Sequence, residues 1–195
     1  MRTKKVFVGG ISGCGKSTVL DNLIRVYSGV EIIHGSKHFM EWLGIKNYNY
    51  RELELLPNNF KNKETDKMIR FLLRRISSEN EWFLLDAHYL RISNGKVTNA
   101  VGSWLSLFDA LFLVVARPEI ILRRINNDSK NRNRNIFNKG SSEASKLIQI
   151  QKFSDETLDK MKYLSKKFKI PYFIINNNTS IEKTLLDFIN CLNKV

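Results

Sequence analysis

Gly10-Ile11-Ser12-Gly13-Cys14-Gly15-Lys16-Ser17 is the stretch on which the fold turns. It matches G-x-x-x-x-G-K-[ST] at every fixed position. Before it, Lys4-Lys5-Val6-Phe7-Val8 reads as a short buried strand. After it, Val19, Leu20, Leu23 and Ile24 recur at helical spacing between Thr18 and Tyr27. A strand, a glycine-rich turn and a helix together make an anion site. Loop N–H groups converge there, and the helix N-terminus adds partial positive charge. Gly10, Ser12, Gly13, Cys14, Gly15, Lys16, Ser17 and Thr18 are therefore the candidate phosphate-binding residues. Lys16 supplies a full charge for β- and γ-phosphates, and the Ser17 hydroxyl can ligate Mg²⁺. The competing reading, a chance match in a turn before a helix, does not account for the strand in front.

Working outward, the chain has 195 residues, enough for one domain with a real core. Hydrophobic residues make up 43% and charged residues 26%, an ordinary globular balance. No apolar run reaches the length of a membrane span, so no membrane partner is expected. No signal peptide is legible at the N-terminus. Cys14 and Cys191 make neither a disulfide framework nor a metal site, and they suggest a reducing, cytoplasmic setting. The net charge of +13 favours anionic partners: nucleotides, nucleic acid such as RNA, or acidic surfaces. Arginines cluster at Arg74-Arg75, Arg123-Arg124, Arg132 and Arg134, which suits bidentate phosphate recognition.

Along the chain, Gly29 reads as the cap of the first helix, and Val30-Glu31-Ile32-Ile33 as the second strand. His38 to Leu43 reads as a helical turn or two. Leu53, Leu55 and Leu56 are too few to phase, and Glu64 to Ile76 reads as a helix. Residues 34–78 are where a second substrate is expected. Trp82-Phe83-Leu84-Leu85-Asp86 is an apolar strand ending in a carboxylate, the expected second Mg²⁺ anchor. His88 lies on the same side if the chain stays extended. It either caps a strand end or orients water or phosphate. Arg91 follows within reach of the same crevice. Asn94-Gly95-Lys96 reads as a loop and Trp104 to Phe108 as a short helix. Ala110 to Ala116 reads as the central strand, and Pro118 opens a helix. Residues 126–140, NNDSKNRNRNIFNKG, are nearly free of apolar side chains. They are either an Asn-rich loop or a short lid bringing Arg132 and Arg134 over a transferring phosphoryl group. Ser141 to Lys167 is helical, Ile170 to Ile175 is the last strand, Asn176 opens the loop at its carboxyl end, and Ser180 caps the last helix.

The alternation predicts an α/β fold: a five-stranded parallel sheet with helices on both faces, one domain over residues 1–195. Ligands then bind at the carboxyl ends of the strands, where the loop, Asp86, His88, Arg91 and Asn176 all fall. Cys14, at a helix N-terminus beside Lys16, is expected to be a reactive thiol.

These residues resemble the archaeal-type adenylate kinases, within the nucleoside monophosphate kinases. His38-Phe39-Met40 is similar to the family's D-F-M after its second strand. Leu84-Leu85-Asp86-Ala87-His88, with Arg91 and Gly95, resembles its I-D-T-H with a basic residue and glycine downstream. Arg132-Asn133-Arg134 resembles its lid R-N-R. The resemblance implies an ATP site on the loop, Mg²⁺ on Ser17 and Asp86, and a nucleoside monophosphate acceptor, AMP favoured. It also implies that Lys16, Arg91, Arg132 and Arg134 act on phosphates, with Asp86 and His88 beside them. Two family segments are replaced, by Tyr48 to Leu55 and by Ile92 to Val101, both on the acceptor side. The same D-x-H is similar to that of adenylate-kinase-like ATPases of ribosome maturation, which implies RNA association as the alternative. A small-molecule kinase of the shikimate or gluconate type is a third option.

Overall fold

The computed structural model describes residues 2–77, 79–93, 96–128, 137–138 and 140–195. Arg132 and Arg134, most of the expected lid, and Gly95 lie outside the described residues.

The five expected strands are present: β1 (Lys4–Gly9), β2 (Val30–His34), β3 (Trp82–Asp86), β6 (Ala110–Val115) and β7 (Tyr172–Asn176). They pair in parallel in the order β2-β3-β1-β6-β7. Two further strands, β4 (Leu90–Ser93) and β5 (Lys96–Asn99), form a separate antiparallel hairpin. Of the expected loop at Asn94-Gly95-Lys96, Lys96 opens β5, and Asn94 and Gly95 lie outside the described residues.

Side chains alternate across the sheet, and each set finds its own core. Val6, Val8, Trp82, Leu84, Phe112 and Val114 face one side, with Leu20 and Leu23 of α1 (Lys16–Val26) and Leu185 and Phe188 of α7 (Ile181–Leu192). Phe7, Phe83, Leu85, Leu111 and Leu113 face the other, with Phe39 of α2 (Gly35–Trp42) and Met68 and Ile69 of α4 (Asn58–Leu73). Strands buried on both faces must be apolar at every position, which is why β3 and β6 read as unbroken runs. Between α2 and α4 lies α3 (Tyr50–Leu55), capped by Asn49, whose side chain accepts from the Glu52 N–H. The remaining helices are α5 (Pro118–Asp128) and α6 (Glu143–Phe168).

Several boundaries differ from expectation. Helix α4 starts six residues before Glu64 and stops at Leu73. Its first two turns, Asn58 to Lys63, are exposed apart from Lys61 and polar apart from Phe60, and they carry no apolar stripe to read. Helix α1 ends at Val26. Tyr27 is already extended, and Gly29 (φ 74°) turns the chain into β2 instead of capping the helix. Residues Ser103–Leu107 form a 3-10 turn with Trp104 and Leu105 buried. Among the described residues no helix is long and apolar enough to cross a membrane.

Candidate active site

The parallel order sends the chain from β1 to β2 and β3 on one side, and to β6 and β7 on the other. The crevice beyond the strand carboxyl ends is where an open α/β sheet holds its ligand. Here a cavity of about 1910 Å³ opens there. Its walls include Ser12, Gly13, Gly15, Lys16, Ser17, Thr18, Asp86, His88 and Arg91. Nine residues named from sequence thus line one cavity, and Gly10, Cys14 and Asn176 do not.

The loop turns through glycines. Gly15 has φ 91°, and a Cβ there would collide with the Asn177 amide. Lys16 is buried, and its Nζ donates to the Gly10 carbonyl at 3.0 Å and lies 3.9 Å from Asp86 Oδ1. Ser17 Oγ donates to Asp86 Oδ2 at 2.8 Å. His88 Nδ1 donates to the Gly10 carbonyl at 2.8 Å. The neighbouring Lys16 charge, then burial, push the His88 imidazole down to about 4, so it is neutral at pH 7 with Nε2 unprotonated. Asp86 and His88 do share a side, as an extended strand end requires.

Asp86 is 8% exposed. Burial by itself would push its carboxyl up. The hydrogen bond from His34, the Lys16 charge and the Ser17 hydroxyl outweigh burial and hold it below the ordinary carboxylate value. His34 is a site residue that the sequence did not disclose. Its Nδ1 lies 3.0 Å from Asp86 Oδ2 and its Nε2 3.0 Å from Asp21 Oδ1. A carboxylate at each nitrogen favours the imidazolium, and the Asp86 bond raises the His34 pKa against the opposing effect of burial.

On the far side of the loop, the Cys14 carbonyl accepts from Arg124 Nη1 at 3.0 Å and from Asn177 Nδ2 at 2.9 Å. Asn176, named from sequence, is exposed and outside the cavity wall; its neighbour Asn177 is buried and makes the contact. Strand alternation explains the one-residue displacement, since adjacent residues point to opposite sides. Arg124 stood out only as part of an arginine pair. The expectation for Cys14 is overturned. Its side chain is 1% exposed, and burial pushes the thiol up, outweighing the Lys16 charge that would lower it. A buried thiol inside the turn is not a nucleophile.

The outer part of the cavity is cationic. Arg91, on β4, donates from Nη1 to Asn62 Oδ1 at 2.6 Å. Lys61, on α4, donates to the Glu54 carbonyl at 3.4 Å. Burial lowers the pKa of both, and the Arg91 charge lowers that of Lys61 further. Leu53, Met68, Ile69 and Trp104 supply an apolar floor.

The residues also suit a hard cation. Magnesium takes one or two carboxylates and completes its shell with phosphate and water oxygens. Ser17 Oγ and the Asp86 carboxylate, adjacent at the mouth of the loop, are such a donor set. Among the described residues no cluster of three or more His, Cys, Asp or Glu could hold a metal unaided.

Solved structures share this architecture. The shikimate kinase of Bacteroides thetaiotaomicron superposes with a TM-score of 0.60 at 13% identity, covering 97% of this chain and 98% of that one. TT1252 from Thermus thermophilus superposes at 0.55 with 16% identity, over 100% and 98% of the two chains. Identities this low speak for the fold alone, a P-loop kinase-like one. No curated protein matches in sequence. The AAA domain family matches residues 9–141, the segment that holds the loop, His34, Asp86, His88, Arg91 and Arg124, and on that match the chain belongs to this family.

Proposed function

We propose that the protein is a nucleotide kinase, transferring the γ-phosphoryl group of Mg·ATP to a nucleoside monophosphate, with AMP the favoured acceptor. The observation that carries this reading is the pairing of two anion sites in one cavity. The loop holds one, with Lys16 and Ser17. Lys61 and Arg91 make the other, two partly desolvated cations beside an apolar floor. A monophosphate with a flat base matches a cationic rim over an apolar floor.

Catalysis of this kind is positioning and charge neutralisation, without a covalent intermediate. Lys16 exchanges the Gly10 carbonyl for the β- and γ-phosphate oxygens. Ser17 and Asp86 would hold magnesium, which would supply positive charge to the phosphates. His88, neutral, holds the Gly10 carbonyl by donating from Nδ1. Arg91 and Lys61 hold the acceptor phosphate. Arg132 and Arg134 are assigned to the transferred group on the R-N-R resemblance.

The test is phosphoryl transfer from ATP to AMP, CMP, GMP, UMP and dTMP, with ATP hydrolysis followed in parallel. Transfer to AMP well above the hydrolysis rate is expected. ATP turnover with no phosphorylated acceptor would refute the kinase and favour the RNA-linked ATPase.

A further inference from the structure

His34 has no part in the reading above, yet both of its ring nitrogens are tied to carboxylates. The β2–β3 register places it directly beside Asp86. The next residue, Gly35, starts α2 so close to β3 that a Cβ there would lie 2.7 Å from the Asp86 carbonyl oxygen. The backbone therefore sets the ring against the carboxylate. Asp21, on α1 and largely solvent-exposed, holds the opposite edge of the ring. Three elements, α1, β2 and β3, thus meet in one chain of hydrogen bonds.

The two donors to Asp86 share a single oxygen. Ser17 Oγ and His34 Nδ1 both approach Oδ2, at 2.8 and 3.0 Å, while Lys16 faces Oδ1. A serine hydroxyl that ligates a cation through an oxygen lone pair keeps its proton available for Asp86 Oδ2. His34 Nδ1 is the second donor to that same oxygen, and the two together hold the buried carboxylate against rotation.

We propose that His34 is a positioning residue for the cation side of the nucleotide site: together with Ser17 it fixes the orientation of the Asp86 carboxylate. The inference rests on the donor-site reading proposed above. It concerns the hydrogen bond from Nδ1 and requires no proton movement.

Calorimetric titration with ADP, in excess Mg²⁺ and in EDTA, tests it. The readout is the gain in ADP affinity that Mg²⁺ confers. His34→Phe keeps a ring and removes the donor. Partners that orient a metal-binding group are commonly worth 10–100-fold in metal affinity, so the Mg²⁺ gain should fall about tenfold. ADP affinity in EDTA should stay within about twofold, because the loop keeps Lys16 and its own N–H groups. His34→Asn places an amide nitrogen where Nδ1 was, and should restore most of the gain. Asp21→Asn, at an exposed position, is the variant that folds in any case; loosening the outer anchor should lower the gain in the same direction by about threefold. An unchanged Mg²⁺ gain in His34→Phe, or in Asp21→Asn if the former does not fold, overturns the inference alone. Equal losses with and without Mg²⁺ also overturn it, since they mean general damage to the loop. Failure of the unsubstituted protein to bind ADP in either condition overturns the donor-site reading and this inference together.

Discussion

Acid should unfold this protein through His88, and His88→Asn isolates the effect. The imidazole is held neutral in the folded state, with a pKa of about 4 against an ordinary 6.5. Below pH 6.5 the unfolded chain takes up a proton that the folded chain refuses until about pH 4. Stability due to this residue is therefore lost as pH falls from 6.5 to 4, and changes no further below. At 1.36 kcal/mol per pH unit the gap corresponds to about 3 kcal/mol, an upper bound because the ring keeps some solvent contact. His34 works in the opposite sense. Its raised pKa adds stability that is full below 6.5 and disappears as pH rises through the folded value. The two windows meet near pH 6.5 without overlapping, so the intact protein shows the His34 change above that pH and the His88 change below it. His88→Asn removes one contribution and leaves His34 in place. Its amide can still donate to Gly10, and it does not titrate. Urea denaturation at half-unit steps from pH 7.5 to 4 is the assay. The difference between wild type and variant should move by about 2–3 kcal/mol across the window, in favour of the variant at acid pH. Parallel curves would refute the reasoning, because they would mean that Lys16 and burial do not act on His88 as the geometry requires.

Lys16→Ala should abolish ATP turnover, and turnover at even a few per cent of wild type would refute the site; loss of the Gly10 bond and of the charge beside buried Asp86 should also lower the melting temperature. Arg91→Ala and Lys61→Ala should raise the acceptor KM about 10–100-fold, with the KM for ATP almost unmoved, as expected for a hydrogen bond to a charged group. Equal effects on both substrates would contradict separate anion sites. Cys14 should resist iodoacetamide in the native protein and label only on unfolding, because its thiol is enclosed and its pKa raised. Rapid labelling blocked by ADP would restore the opposite view.

What could be read from sequence follows from where each signal originates. The loop was legible because its chemistry demands fixed residues at fixed spacing. Strands β3 and β6 were legible because double-sided burial leaves no polar position. Asp86 and His88 followed from their place at a strand end. Other features arise only in three dimensions. His34 is one polar residue at the end of a half-buried strand, and its partners are 13 and 52 residues away. Asn177 was missed by one position because the sense of alternation at the end of β7 depends on register. Cys14 was misjudged because a helix N-terminus and a lysine are visible in sequence, whereas enclosure is not. The β4–β5 hairpin had a signal, since Asn-Gly between two short runs favours a tight hairpin connection. Its strands carry charges and few apolar residues, which hid them. Lys61 could not be placed because the first turns of α4 lack an apolar stripe.

The grip of Asn177 on the Cys14 carbonyl has a kinetic consequence. The bond joins residues 163 positions apart. Closing so long a loop is slow relative to forming neighbouring turns, and the order of events is set by chain connectivity. A ribosome-bound chain can build β1, α1, β2 and β3 long before Asn177 leaves the exit tunnel. Through that interval the phosphate loop has its sequence but lacks its outer buttress. Competence to bind nucleotide should therefore be among the last properties acquired during synthesis. In a refolding experiment, ADP capture should lag behind the appearance of helical signal.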